Sequence, residues 1–477
     1  MDRLSELPDY AIFHIFWSLP IIDVVRTTIL SKRWKNIWTT TPFLNITDNH
    51  ISDSDTRKKF PNIVHRALLR WDGVKVLKFK VNLHRELSIY VDADLWVRFA
   101  KKHEVEELYL HWRDLNMKRV GNNDQKVCWV PQYLYSCSSL KVLSINTFHF
   151  SISGNVQWNQ LKSLTIVNGF GVTKDVVNQI LCGSPQLEVL ILSFVESGES
   201  LCIRSTSLKE LSINKHLCNA DNYASTYTTG ELKIWSSNHK TLEIWTPNLK
   251  TLEIKGIPYN KCLLTNVSSL SRATLGYYGL HHFGDYHWYG LTGMDGFTRR
   301  FLGDLFGQIL PSIQHTENIT LLSCCQKVLG AMIEGCMNSS SPNVKLLQFR
   351  FYYTKVDGVF EIFPLSKKLV VKVRESGISK DAQHADPNIY LEFEENLPTS
   401  FVLQLRTVEV ILVEEDDNIF PFLEFLLRNA SKLEKIVFRV KGFTRLSRPS
   451  ESLLRASQRL LKMPRSSRTA HFTFYEY

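Results

Sequence analysis

The chain has 477 residues, of which 44% are apolar, enough for the cores of about two to four ordinary domains or one elongated repeat domain, and this excludes a disordered chain. No run of 18 or more apolar residues occurs, and "MDRLSELPDY" lacks the basic-then-apolar order of a secretory signal, so the sequence predicts a soluble protein of the cytoplasm or nucleus with no membrane partner. The net charge of +10 is diffuse except at 441–468, where eight basic residues meet only Glu451; a solvated basic face is the expected meaning, and a nucleic acid or an acidic partner the alternative.

The first forty-odd residues read as three short helices. Pro8 suits a first helical turn, and Ile12, Ile15, Phe16 and Leu19 follow at i, i+3, i+4 and i+7 as one apolar stripe. Pro20 ends that helix, because the residue before a proline is pushed out of the α region. Asp23 is the predicted N-cap of a second helix and Ser31 of a third, "SKRWKNIW", in which Trp34, Ile37 and Trp38 share a face. Three helices of this size are too small to bury Phe16, two tryptophans and several isoleucines among themselves, so that face must meet either a partner or the rest of the chain.

From residue 74 the texture changes to short strands with apolar residues at the first, fourth and sixth places. They are "VKVLKF" (74–79), "VEELYL" (105–110), "LKVLSI" (140–145), "LKSLTI" (161–166), "LEVLIL" (187–192), "LKELSI" (208–213), "TGELKI" (229–234), "LKTLEI" (249–254) and "LSRATL" (270–275). From 143 onward their fourth positions are separated by 21, 26, 21, 21, 20 and 21 residues, the period of a leucine-rich repeat. One such unit cannot bury its own leucines and must stack on its neighbours, which makes the leucines core and leaves function to the residues between them and to loops. Further units are predicted at "TENITL" (316–321) and "VKLLQF" (344–349), after an interval holding "GYYGLHHFGDYHWYGLTG" (276–293), read as an inserted loop.

The last eighty residues predict a strand, an acidic turn, a helix carrying Phe422, Phe425 and Leu426, a second strand, a basic helix at 451–462 and a closing strand "AHFTFY", together a small α/β cap over the last repeat.

Signals for chemistry are weak. "KHEVEE" has His103 and Glu104 but places Glu107 where a zinc-protease helix needs its second histidine, and "GFGVTK" puts Lys174 where a phosphate loop needs its third glycine. His281, His282, Asp285 and His287 lie close together but match no standard ligand spacing. Nine cysteines without any C-x-x-C pair, the vicinal Cys324 and Cys325 included, read as reduced, mostly buried thiols. No catalytic residue, metal or cofactor is expected.

Residues 2–38, "DRLSELPDYAIFHIFWSLPIIDVVRTTILSKRWKNIW", closely resemble the plant F-box family in the Leu-Pro-Asp start, the Ile-x-x-Ile-Phe-x-x-Leu-Pro helix and the Leu-Ser-Lys-Arg-Trp ending. They depart from it at Tyr10, Ala11, Phe13 and Ile21-Ile22. The segment 397–475, with "LRTVEV", "FLLRNASKLEKIVF" and "LLKMPRSSRTAHFTF", is similar to the FBD domain that follows leucine-rich repeats in a plant F-box subfamily. The resemblance implies an α/β protein with a three-helix F-box (1–45), an irregular leucine-rich-repeat solenoid or arc (46–395) and an FBD-like cap (396–477).

It also implies a non-catalytic substrate receptor of a Skp1, cullin and F-box type ubiquitin ligase, its F-box holding a Skp1-like adaptor and through it a cullin, and its repeats holding an unidentified target protein. The adaptor surface it implies is Leu7, Pro8, Ile12, Ile15, Phe16, Leu19, Pro20, Val24, Leu30, Trp34 and Trp38, with Trp38 open between the adaptor and the joint to the first repeat. Lys32, Arg33 and Lys35 are expected to face solvent. Target contacts are expected from strand residues between the leucines and from Tyr277, Tyr278, His281, His282, Tyr286, Trp288 and Tyr289, because aromatic and polar side chains on loops over a rigid scaffold are typical binding groups.

Overall fold

Proline sets the first two helix boundaries. In the computed structural model, helices α1 (Asp9–Ser18) and α2 (Ile21–Arg26) start directly after Pro8 and Pro20, both extended at ψ 149°, at positions whose N–H no helical bond would use. Asp23 is therefore not the N-cap expected of it. It lies in the first turn of α2, where a carboxylate is favoured by the positive helix end, and pairs with Arg26 at 2.8 Å. Helix α3 (Lys32–Ile37) is capped as its sequence predicts, the Ser31 hydroxyl accepting from the Trp34 N–H at 3.5 Å.

The residues described are 6–48, 51, 54–84, 89–113, 129–146, 148–195, 200–216, 240–256, 259–277, 296–322, 344–351, 363–373, 399–412, 419–440 and 449–476. They form two units, Met1–Lys240 and Thr241–Tyr477.

After its three helices, the first unit builds strands β1 (Phe43–Thr47), β2 (Lys78–His84), β3 (Glu107–Arg113), β4 (Val142–Asn146), β5 (Ser163–Gly169), β6 (Val189–Val195), β7 (Leu201–Arg204) and β8 (Glu210–His216). All but β7 lie side by side in chain order, each parallel to the next. The repeat period fixes the register. Phe79, Leu108, Leu143, Leu164, Leu190 and Leu211 stand opposite one another, as do Val81, Leu110, Ile145, Ile166, Leu192 and Ile213, and every one of them is at most 1% exposed. The leucines three residues earlier, Leu140, Leu161, Leu187 and Leu208, are buried as well, so each hexamer places three side chains in the core.

Repeat length follows from how the chain returns. A helix advances about 1.5 Å per residue and a strand about 3.3 Å, so a helical return needs more residues to cross the same repeat. The 26-residue step from Leu164 to Leu190 contains helix α6 (Lys174–Gly183), whereas the 21-residue step from Leu190 to Leu211 contains, among its described residues, only the short β7 between its two ladder strands. The longer steps between β1 and β2 and between β2 and β3 carry α4 (Ser54–Arg70) and α5 (Ile89–Lys102), which give Phe60, Val64, Trp96 and Val97 to the core. Trp96 and Trp112 meet at 5.7 Å between ring centroids, and Trp112 and Phe148 at 5.3 Å.

The second unit repeats the plan with β9 (Thr241–Trp245), β10 (Thr251–Gly256), β11 (Lys261–Thr265), β12 (Arg272–Tyr277), β13 (Asn318–Leu321), β14 (Leu346–Phe351), β15 (Lys368–Val373), β16 (Thr407–Leu412), β17 (Lys435–Val440) and β18 (His471–Glu476). Strand β10 and strands β12 to β18 form the parallel ladder. Strands β9 and β11 pair separately, beside a helix at 296–313 whose Gln308 Oε1 accepts from the Cys262 N–H at 3.1 Å. Leu252, Ala273, Ile319, Leu347, Leu369, Val408 and Ile436 form one buried column. The order of strands and helices expected for 396–477 is present, but 395/396 is not a boundary of the sheet: β16 pairs with β15 in the same register and β17 and β18 continue it. These strands continue the parallel ladder of the second unit.

The hexamer at 229–234 and the proposed inserted loop lie outside the described residues, apart from Gly276 and Tyr277, which end β12.

Candidate functional site

The three N-terminal helices close on a core of their own. Ile12, Phe16, Val24 and Trp34 are at most 2% exposed, and the rings of Phe16 and Trp34 meet edge to face at 5.6 Å. Ile21, Ile37 and Trp38 are also buried. Trp38 begins a short turn of 3-10 helix leading to Thr41, whose carbonyl accepts from Trp71 Nε1 at 2.8 Å, while Asp72 N–H donates to the Thr39 carbonyl at 2.7 Å. The aromatic surplus of the helices is thus taken up inside the chain.

This divides the expected adaptor set. Ile12, Phe16, Val24, Trp34 and Trp38 are buried by the chain itself, as is Pro20, and present no surface. These six were expected on the adaptor-binding surface, and here the chain's own packing covers them: amphipathic spacing identifies the apolar face of a helix but not what covers it. Leu7 and Leu19 are half-buried, and Pro8, Ile15 and Leu30 are exposed. Two residues outside the expected adaptor set are more exposed than Ile15 and Leu30, Tyr10 at 70% and Ile29 at 86%. Arg33 pairs with Asp9, which ties the start of α3 to the start of α1 and brings Leu30 and Pro8 to the same end of the bundle. Lys32 and Lys35 face solvent as predicted; Arg33, held by Asp9, is half-buried.

The solvent side of the first unit's sheet carries a second group of polar and aromatic side chains. Trp17 of α1 lies over it, 6.2 Å from Phe43 and 6.5 Å from Tyr109, with Lys78 Nζ 5.7 Å from its ring. Tyr109 Oη donates to Glu107 Oε2 at 2.9 Å, and burial followed by that carboxylate pushes the phenol up to about 12. His111 Nε2 is 2.8 Å from Ser144 Oγ. At the entrance to the strands Glu106 sits between Lys141 (2.7 Å) and Lys75 (2.6 Å), which hold its carboxyl below the usual range. In the second unit burial works against the Glu409 carboxylate, but Lys368 at 2.9 Å and Arg439 at 2.8 Å outweigh it and keep it below the usual range.

Of the residues expected to meet a target, Tyr277 lies at the end of β12 opposite Gly256. Tyr278, His281, His282, Tyr286, Trp288 and Tyr289, and with them the Asp285 and His287 of the weak metal motif, fall outside the described residues. Among the described residues no group of three or more His, Cys, Asp or Glu side chains is placed to hold a metal ion, and no helix is long and apolar enough to cross a membrane.

Residues 4–45, which take in α1 to α3 and the start of β1, match the F-box domain. Residues 93–228 match the family described as FBD-associated F-box protein At5g56370, LRR repeats. The chain has an F-box followed by leucine-rich repeats. Its relatives include three proteins of Arabidopsis thaliana. F-box/LRR-repeat protein At5g02910 is 29% identical over 67% of this chain and 60% of its own length. F-box/LRR-repeat protein At3g03360 is 24% identical over 93% of this chain and 85% of its own length. F-box/FBD/LRR-repeat protein At5g56420 is 28% identical over 45% and 49% respectively. The chain spans less than two thirds of the length of the first of these. The F-box core is the Phe16–Trp34 cluster, and the repeats are the two ladders.

Proposed function

We propose that this protein is the substrate-recognition subunit of a Skp1–cullin–F-box type ubiquitin ligase, working in the cytoplasm or nucleus. The observation that carries the reading is an F-box whose own core is filled yet which still exposes Pro8, Tyr10, Ile15, Ile29 and Leu30. A bundle that has satisfied its core and still presents that much apolar surface is suited to docking on a partner helix or groove. The adaptor-facing set on this reading is Pro8, Tyr10, Ile15, Ile29 and Leu30, with Leu7 and Leu19 at its margin.

The chain supplies no chemistry on this reading. The F-box docks on a Skp1-like adaptor and so on a cullin, the repeats hold a target protein, and ubiquitin transfer is accelerated by raising the target's local concentration beside a ligase that performs the reaction. The target surface on this reading is the solvent side of the strands, with Trp17, Tyr109 and His111 as its aromatic centre in the first unit. Residues 396–477 are read as the FBD-like part of the same chain.

Co-expression with a Skp1-like protein tests the reading. The adaptor is expected to co-purify with the intact chain and to be lost with Ile29→Asp combined with Leu30→Asp. Absence of co-purification, or retention by a correctly folded double variant, would overturn it.

A further inference from the structure

The solvent side of each ladder carries the residues that alternate with its buried columns. In the first unit the described charged side chains at those places are Lys78 and Lys80 against Glu107 and Glu210, a balanced face that also holds Phe43 and Tyr109. In the second unit, from β10 to β17, they are Lys255, Arg272, Lys368, Lys435 and Arg439 against Glu253 and Glu409, five cations to two carboxylates. No aromatic residue stands at an outward place of that ladder between β10 and β17.

Both carboxylates are already engaged. Glu253 pairs with Lys255, and Glu409, its side chain 13% exposed, sits between Lys368 at 2.9 Å and Arg439 at 2.8 Å. Glu409 thus fixes a cation from the strand on either side of β16, and the Lys368 ammonium keeps two further hydrogens to donate. Arg439 uses its Nε for Glu409 and lies 5.0 Å from the Tyr475 ring centre, so its terminal nitrogens stay open to an outside acceptor among the described residues. Arg272 is exposed and Lys435 half-buried, and neither has a carboxylate partner among the described residues.

Register puts three of the cations in one row. Arg272, Asn318, Leu346, Lys368, Thr407 and Lys435 stand opposite one another on successive strands from β12 to β17. Arg272 and Lys368 are therefore three strand steps apart, about 14 Å, and Lys368 and Lys435 two steps, about 10 Å. A small anion cannot meet all three, whereas about seven residues of extended chain span them. A second copy of this face would set like charges against each other, and single-stranded nucleic acid would find no ring on which to stack its bases.

We infer that the solvent face of β12 to β17 receives an extended acidic segment of the target protein, laid across the strands with carboxylates on Arg272, Lys368 and Lys435 and with Arg439 beside them. The inference rests on the reading that the repeats hold a target, and it names the chemistry of what they hold. The cation row speeds encounter with acidic segments and disfavours basic ones.

The test uses the full chain and the fluorescein-labelled peptide Gly-Glu-Ser-Val-Ser-Glu-Ser-Val-Glu-Gly, whose carboxylates match the spacing of the row, with glutamine replacing each glutamate in a control. Fluorescence anisotropy is expected to show binding of the acidic peptide alone, weakening as salt rises. Arg272→Glu with Lys435→Glu should weaken it about tenfold. Lys102→Glu with Lys174→Glu, at exposed side chains of the first unit, lowers the net charge equally and should leave binding unchanged. Benzoylphenylalanine in place of the first valine should cross-link the parent protein within β12 to β17, a readout that needs no variant to fold. No binding, equal binding of the two peptides, equal loss in the two double variants, or cross-links confined to the first unit would each overturn the inference. So would a single-stranded oligonucleotide that binds this face more tightly than the peptide, which would make nucleic acid the occupant. Co-purification of a Skp1-like adaptor is scored separately, so failure of the peptide with the adaptor retained strikes this inference and leaves the ligase reading standing.

Discussion

Phe16 of α1 and Trp34 of α3 meet edge to face, their ring centroids 5.6 Å apart at 74°, and the two are 0% and 2% exposed. The tryptophan of the Leu-Ser-Lys-Arg-Trp ending is therefore a structural residue of the F-box. Trp34→Ala should destabilise the N-terminal helices by about 3–5 kcal/mol, since it removes a large buried ring and leaves a cavity against Phe16. Ile29→Asp, at a side chain 86% exposed, should change stability by less than about 0.5 kcal/mol. Thermal unfolding followed by tryptophan fluorescence separates the two. A Trp34→Ala protein as stable as the parent would show that the helices do not share this core.

The ladder makes a sharper pair of expectations. Leu164 lies between Leu143 and Leu190 in one buried column, while Thr165 is the next residue along and half-buried on the other face. Leu164→Ala should cost about 2–5 kcal/mol and Thr165→Ala little. Because stability in a repeat array is a sum of unit and neighbour terms, Leu164→Ala and Leu190→Ala should not add when combined. Urea unfolding of the single and double variants measures the coupling, and strict additivity would mean that the two leucines do not share a contact.

What the sequence revealed and what it hid have physical causes. Within the described residues every hexamer with three apolar places became a strand, because stacking units must put equivalent residues in register and a fixed period records that directly. Strand β15, "KLVVKV", escaped notice because Ser366 stands where the leading leucine of a hexamer would be; that serine is fully buried and instead donates to the Val344 carbonyl at 3.2 Å. Helices α4 and α5 were missed because the hexamers drew attention to strands and the intervals between them carry no period. The F-box was legible as a motif, yet its surface was not: the spacing of Ile12, Phe16 and Trp34 shows an apolar face, and only the packing shows that the face is closed while Ile29 is open.

The Glu106 carboxylate, bridged by Lys75 and Lys141, gives a pH dependence of known sign. Its folded pKa is lowered, first by Lys141 and then by Lys75, so its contribution is fully present above the ordinary glutamate range and is lost as pH falls through the lower folded value. The stability difference between the parent and Glu106→Gln should therefore be constant near neutrality and shrink on acidification below about pH 4. Both lysines are partly exposed, so the difference should also narrow in high salt. Denaturant midpoints measured across pH check this, and a difference that grows on acidification would contradict the assignment.

Thiol reactivity separates two buried cysteines from one exposed on a helical return. Burial pushes the Cys137 thiol up to about 11 and the Cys262 thiol up to about 12, so at pH 8 neither holds an appreciable fraction of the reactive thiolate, and neither is open to reagent. Cys182, at the end of α6, is exposed. Brief alkylation of the native protein at pH 8 should modify Cys182 and spare Cys137 and Cys262, and denaturant should make all three react, as read by mass spectrometry of the labelled peptides. Because Cys262 N–H is bonded to Gln308 of the 296–313 helix, Gln308→Ala should raise the labelling rate of Cys262 selectively if that helix holds the β9–β11 pair closed. Labelling of Cys262 as fast as Cys182 in the parent protein would mean that this pair opens readily and that the helix does not seal it.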